Sequence, residues 1–285
     1  MTTTATSSQT PTRRVGLAQL SLVGTAPPQL VSIAAEAGFD FIGARVRPVT
    51  ATERPYDLQP GSPMLKETIV RMQDTGVTVE DIEFLLLDGT DQRAAWLQML
   101  EAGQALGART MTVACADPDA SRFADTLAQL SQDGRGFGIL PTLEPISYQV
   151  VRSIPDAAER AGQAGIGIVV DSLHFHRFGG TLEELKACTS LVPLLQLCDG
   201  PVASPASHAG LILESRSERQ VPGEGEFDLA SLVAAAFPAD LPVSVETPSE
   251  RRVTELGEAG WARMLKTGVD GVLASAAGLQ RAGTR

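Results

Sequence analysis

Cysteine, histidine, aromatic side chains and positive charge are all scarce in this chain of 285 residues. Its three cysteines, Cys115, Cys188 and Cys198, give neither a disulfide framework nor a pair at CxxC spacing, and they predict a reducing, cytoplasmic setting. No apolar run reaches the roughly 18 residues of a membrane span, and the first residues hold no apolar signal core, so no membrane partner is expected. The net charge of -11 disfavours nucleic acid, whose binding rests on Lys and Arg contacts to phosphates. It also disfavours polyanionic substrates, unless a local basic pocket overrides the overall field. No GxGxxG follows the first apolar run, and neither an internal repeat nor an interdomain linker is visible.

What the chain does have is alternation. With 43% hydrophobic residues it can bury a large core. Residues 1–13 are too polar to pack and read as a disordered tail ahead of one domain over 14–285. Strands are expected at 15–20, 39–44, 77–84, 110–114, 138–144, 167–171, 193–197 and 242–246. Amphipathic helical stretches fall between them at 29–37, 64–75, 94–106, 156–164 and 229–237, and one or two closing helices follow over 249–279. Gly38, Gly76 and Gly107 stand where helices end, as left-handed caps require. Eight strands each followed by helical sequence predict a single α/β domain, a (β/α)8 TIM barrel. A doubly wound sheet is the alternative, disfavoured because the chemistry-bearing residues spread over the last four strands.

Those residues are Glu144, Asp171, Gln196 and Glu246, each at the end of an apolar run. A carboxylate in a strand buried on both faces is costly unless its charge is compensated, and one divalent ion compensates several at once. The ends of parallel barrel strands converge at one rim, where such enzymes do their chemistry. The loop after Asp171 adds His174 and His176, which could ligate a metal or hydrogen-bond a hydroxyl; His208 reads as ordinary surface. Glu83 could line the pocket or be a solvated or paired carboxylate. Arg45 and Arg47 could hold a substrate anion or pair with neighbouring acids. Asp199 could orient a ligand or cap the turn before Gly200. Glu224 and Glu226 make the 222–225 loop a poor phosphate cradle. Trp96 reads as core, and Trp261 as a cover for the base of the closing helices.

Taken in order, Glu144, Asp171-Ser-Leu-His174, Gln196-Leu-Cys-Asp199, Arg219-Gln-Val-Pro-Gly223-Glu-Gly225 and Glu246 resemble the xylose isomerase-like TIM-barrel superfamily of ketose 3-epimerases, inosose dehydratases and related sugar isomerases. The resemblance implies that Glu144, Asp171 and Glu246, with Gln196 at the fourth position, hold one Mn2+ or Mg2+. It also implies that His174 and Arg219 hold the substrate, with His176, Glu83 and Arg45 as further candidates, and that Glu144 and Glu246 move the proton. Such barrels often self-associate, so a homo-oligomer is compatible with it. Two departures stand out. The fourth ligand is usually histidine, and Gln196 supplies a neutral oxygen that suits Mg2+ or Mn2+ and disfavours Zn2+, or else marks a lost metal. The epimerases carry another glutamate where this chain has Val150. The DNA-repair endonucleases of the superfamily need a histidine-rich trinuclear site, which three histidines cannot supply.

The expected activity is a divalent-metal-dependent isomerase or epimerase acting on a sugar-like hydroxy-carbonyl compound through an enediolate. A lyase on the same scaffold, losing water after the same proton abstraction, is the first alternative. A metal-free binding barrel without activity is the second.

Overall fold

Eight apolar runs pair in parallel and close on themselves: β1 (Val15–Ala18), β2 (Phe41–Arg45), β3 (Thr78–Leu87), β4 (Thr110–Cys115), β5 (Leu140–Leu143), β6 (Gly167–Asp171), β7 (Leu194–Leu197) and β8 (Val243–Val245). The computed structural model describes residues 13–236 and 241–283. Closure is made by β1 on β8, with Leu17 opposite Val245. Every residue of β1, β2, β4, β6, β7 and β8 is buried, which is why these runs read as continuous rather than alternating hydrophobicity. All eight expected strands are present, and the barrel is the expected fold.

The helices are α1 (Pro27–Ala37), α2 (Pro63–Thr75), α3 (Arg93–Leu106), α4 (Ala120–Phe137), α5 (Ile154–Ala164), α6 (Ser172–Arg177), α7 (Leu182–Cys188), α8 (His208–Ser217), α9 (Leu229–Ala236) and α10 (Glu250–Gly283). Gly38, Gly76 and Gly107 close α1, α2 and α3 with φ of 85°, 78° and 72°, the left-handed region that a residue without Cβ enters cheaply. The closing segment is two helical stretches joined at Gly257, where φ is 70° and ψ 162°. Apolar side chains such as Met99, Leu100, Phe123 and Leu265 fill the layer between barrel and helices, each worth about 1.5–3 kcal/mol of burial. Trp96 and Trp261 are both core. The tail expected over 1–13 lies, except for Arg13, outside the described residues; Arg13 donates to the Leu241 carbonyl at 2.9 Å. Residue 237, expected to end a helix, also lies outside them.

One expectation fails locally. The stretch after Asp171 is not a loop but the short helix α6, because the Asp171 carboxylate itself caps it. Its Oδ1 accepts from the Leu173 and His174 amides at 2.7 and 3.2 Å. Ser207 caps α8 in the same way, so His208 opens a helix; its side chain is exposed, as expected of surface.

Candidate metal and substrate site

The sheet places the four strand-end residues at one rim. Asp171 ends β6 and pairs in register with Gln196 on β7. Glu144 and Glu246 follow β5 and β8 directly. Their amides still donate to the neighbouring strands, Glu144 to Val113 O at 2.8 Å and Glu246 to Leu197 O at 3.0 Å, so the ladder holds both backbones. All four side chains are buried. Oxygens of Glu144, Asp171 and Glu246 lie within 4.8 Å of one another, the one acidic group so arranged among the described residues.

Among the described residues, Arg219 is the guanidinium paired with this group. Its buried Nη1 donates to Asp171 Oδ2 at 2.6 Å and lies 3.0 Å from Glu246 Oε2, while Nε donates to Ser215 O at 2.7 Å. One cation against three carboxylates leaves surplus negative charge, and the protonation states reflect it. Burial, then Glu246 and Asp171, hold Glu144 well above the carboxylate range. Burial outweighs Arg219 at Glu246 and pushes it up to about 8. At Asp171 burial pushes upward too, yet Arg219 and His174 outweigh it and the group is lowered. These residues fit a divalent ion. Three carboxylates converge, and beside them the Gln196 side-chain oxygen is buried without a hydrogen-bond partner among the described residues. The Gln196 nitrogen points to Glu246 Oε1 at 3.4 Å. A ligated ion would give the amide oxygen and the surplus charge their missing partner.

A cavity of about 380 Å³ opens on this group, with Arg45, Glu83, Glu144, His174, Gln196 and Glu246 in its wall. Leu20, Val23, Phe84 and Ile146 make part of that wall apolar. His174 is buried, its Nε2 3.9 Å from Glu144 Oε1 and its Nδ1 3.2 Å from the Ser147 hydroxyl. Burial lowers it to about 4, so it is a neutral imidazole near pH 7. Arg45 Nε reaches Glu83 Oε2 at 3.3 Å and its Nη1 reaches Glu53, so both expected pocket residues are present there and also paired.

His176 is not brought to the site. Its ring stacks on Phe227 at 4.1 Å, and its Nδ1 lies 2.7 Å from the Ser172 carbonyl. Two positions apart on a helix, His174 and His176 face opposite ways. Arg47 and Val150 are likewise absent from the cavity wall. Asp199 does more than cap one turn: it accepts from the amides of Gly200, Gly223 and Phe227 and so pins the loop that follows Arg219. A Cβ at Gly225 would fall 2.3 Å from Asp199 Oδ1, which explains the glycine. Sequence reasoning missed Tyr148, Ser215 and Asp81. Tyr148 lines the cavity, edge-on to His174, with its hydroxyl 3.1 Å from Ser215 Oγ. Its position four residues after Glu144 was the available signal.

A closed parallel barrel with converging carboxylates at its carboxyl-terminal rim defines a class of TIM barrels with an acidic site at that rim. The chain belongs to the xylose isomerase-like TIM-barrel family, whose model matches residues 31–270. Among solved structures, that of the IolI protein with a bound zinc atom has a TM-score of 0.76 and 19% identity, covering 92% of this chain and 99% of that one. A probable 3-DHS dehydratase, AsbF of Bacillus anthracis, has a TM-score of 0.68 and 13% identity over 90% of this chain and 97% of its own. A D-allulose 3-epimerase from Methylomonas sp. has a TM-score of 0.65 and 13% identity over 92% and 99%. At such identities these likenesses carry the fold alone. A comparison with curated protein sequences gives no match.

Proposed function

We propose that this chain is a divalent-metal-dependent enzyme that removes the proton next to the carbonyl of a sugar-like hydroxy-carbonyl compound, as isomerases and epimerases do. The observation that carries this reading is the buried Glu144, Asp171 and Glu246 group with the unpartnered Gln196 oxygen beside it, at the floor of a cavity fit for a small molecule. Glu144, Asp171, Gln196 and Glu246 would hold Mn2+ or Mg2+, an all-oxygen set suited to hard ions. A bound divalent ion supplies charge stabilisation for the oxyanion that forms when the proton leaves. Glu144 and Glu246 are the bases, being carboxylates of raised proton affinity at the cavity wall. His174, held neutral, offers a hydrogen bond to a substrate hydroxyl, and Arg219 offers one to a substrate oxygen while it keeps Asp171 ionised. The partner is a small molecule, with a homo-oligomer as the proposed assembly.

The second reading, loss of water after the same proton abstraction, is favoured by one observation. Glu83 presents an unpartnered oxygen in the cavity wall, a group that plain proton exchange between Glu144 and Glu246 leaves without a task. A panel of keto-sugars and keto-cyclitols in D2O with Mn2+ tests both. Deuterium uptake next to the carbonyl supports the shared step, and loss of water's mass selects the lyase. Metal-loaded protein that exchanges with none of the panel overturns the reading.

A further inference from the structure

The mechanism above leaves one buried acid unused. Asp81 on β3 is 0% exposed, and neither of its oxygens has a hydrogen-bond partner among the described residues. Two residues on, Glu83 lines the cavity with Oε1 equally unpartnered. Both reach toward one point. Gly43 on β2 stands opposite Asp81, and a Cβ there would lie 2.5 Å from Glu83 Oε1 and 2.8 Å from Asp81 Oδ1. Any other residue at 43 would displace these carboxyl groups, so the glycine makes room for them.

Charge counting decides their state. Six carboxyl side chains stand in the cavity wall or buried behind it: Glu53 from the loop after β2, Asp81 and Glu83 from β3, and Glu144, Asp171 and Glu246 from the opposite half; Glu250, also in the wall, is exposed to solvent. Two paired guanidiniums face them, Arg45 and Arg219. His174 is neutral, Arg216 at the mouth is exposed, and Glu80 below is already engaged by Arg14. A divalent ion at the rim would offset two more charges and still leave two acids uncompensated, and a buried acid without a counter-charge keeps its proton. Asp81 has no cation partner, and Glu83 shares Arg45 with Glu53. Burial and the neighbouring acids push Asp81 well up, and burial raises Glu83.

We propose that Asp81 and Glu83 are a buried acid pair, and that Glu83 is the general acid that protonates a hydroxyl leaving from the carbon β to the substrate carbonyl. The step deepens the carbon-acid reading and rests on it for the substrate; the acid pair itself does not. Glu144 or Glu246 takes the α-proton, and the electrons of that C–H bond become the new C=C bond. The β C–O bond breaks with its electron pair on oxygen, and that oxygen takes the proton of Glu83 and leaves as water. Solvent in the cavity returns a proton to Glu83, and the base releases its proton to solvent. The net change is loss of one water with no oxidant or reductant. The substrate class is therefore a β-hydroxy carbonyl compound, and Asp81 is a positioning residue.

Two measurements test this separately. Infrared difference spectra of Mn2+-treated protein at pH 7 should contain the C=O stretch of a protonated carboxylic acid that shifts in D2O. Asp81→Asn and Glu83→Gln should each remove part of it. A spectrum with no such band responsive to either variant overturns the pair whether or not the site binds metal. In the D2O panel, Glu83→Gln should cut water loss by about 10²-fold or more, and by a larger factor than it cuts α-deuterium exchange. Equal loss of both activities, unchanged water loss, or a wild type that exchanges without ever losing water overturns the elimination. A wild type that exchanges with nothing fails the underlying reading, and the infrared result then judges the pair alone.

Discussion

The two ends of the barrel treat buried charge in opposite ways, and β3 runs through both. At the amino-terminal base, Glu80 is held by Arg14 at 2.7 Å, with Arg109 at 3.9 Å, and Asp40 accepts from the Val15 amide at 2.8 Å. Both of these acids have partners. One and three residues further along the same strand, Asp81 and Glu83 hold three oxygens without partners, and across the barrel the Gln196 oxygen is bare as well. A fold that can satisfy its acids at one end has the means to do so at the other. Charge left uncompensated at the rim is therefore a tolerated instability, and such sites are where ions and substrates supply the missing partner.

The sharpest test of that contrast swaps a charge at each end. Glu246→Gln at the rim should cut α-proton exchange by about 10²–10⁴-fold, read by deuterium uptake. The same change should leave the metal-free protein at least as stable, because the folded group is raised to about 8 from an ordinary 4.5. Between those values the folded state holds the extra proton, so wild-type stability falls as pH rises through that window, and the Gln variant should lack this part of the slope. Core packing marks the stability side of the comparison. Leu100→Ala on α3, fully buried and away from the rim, should cost about 2–5 kcal/mol in denaturant titrations without changing metal affinity.

Metal binding should lift rim stability specifically. Mn2+ at about 100 times its Kd should add about 2.7 kcal/mol, seen as a rise in Tm. Because Glu246 must lose its proton to ligate, apparent affinity should climb with pH and level off above about 8, with proton release in calorimetry. Glu80→Gln at the base should cost only about 1 kcal/mol, since Arg14 is 35% exposed and its pairing is screened, and it should leave exchange intact. The smallest expected change is His174→Ala, which should raise KM more than it lowers kcat, because its part is to hold a hydroxyl. Gln196→His should tighten Mn2+ binding by restoring an imidazole donor; unchanged affinity would remove Gln196 from the ligand set.

How much of this was visible beforehand follows from which forces are local. Continuous Val, Ile and Leu runs ending in Glu144, Asp171, Gln196 and Glu246 mark buried parallel strands in any context, so the barrel and the rim group could be read directly. Helix α4 keeps Phe123, Leu127 and Leu130 on its core side, with Gly134 where the chain comes close to Ile139 and Pro141. His176 misled because its neighbours in sequence, Asp171 and His174, bear on the site while helical geometry turns it to Phe227. Asp81 gave no signal, since a Glu-Asp pair in a strand looks like exposed alternation. Only closure of the barrel, with Gly43 opposite, makes it interior. The engagement of Arg219 with Asp171, 48 residues apart in sequence, is likewise a property of closure.

The central claim is that uncompensated rim charge is a metal site. A crystal soaked in Mn2+ and measured for anomalous scattering tests it most directly. The account predicts one ion with oxygens of Glu144, Asp171, Gln196 and Glu246 at about 2.0–2.4 Å. A saturated soak with no ion at these four residues, and their side chains turned from one another, would contradict it.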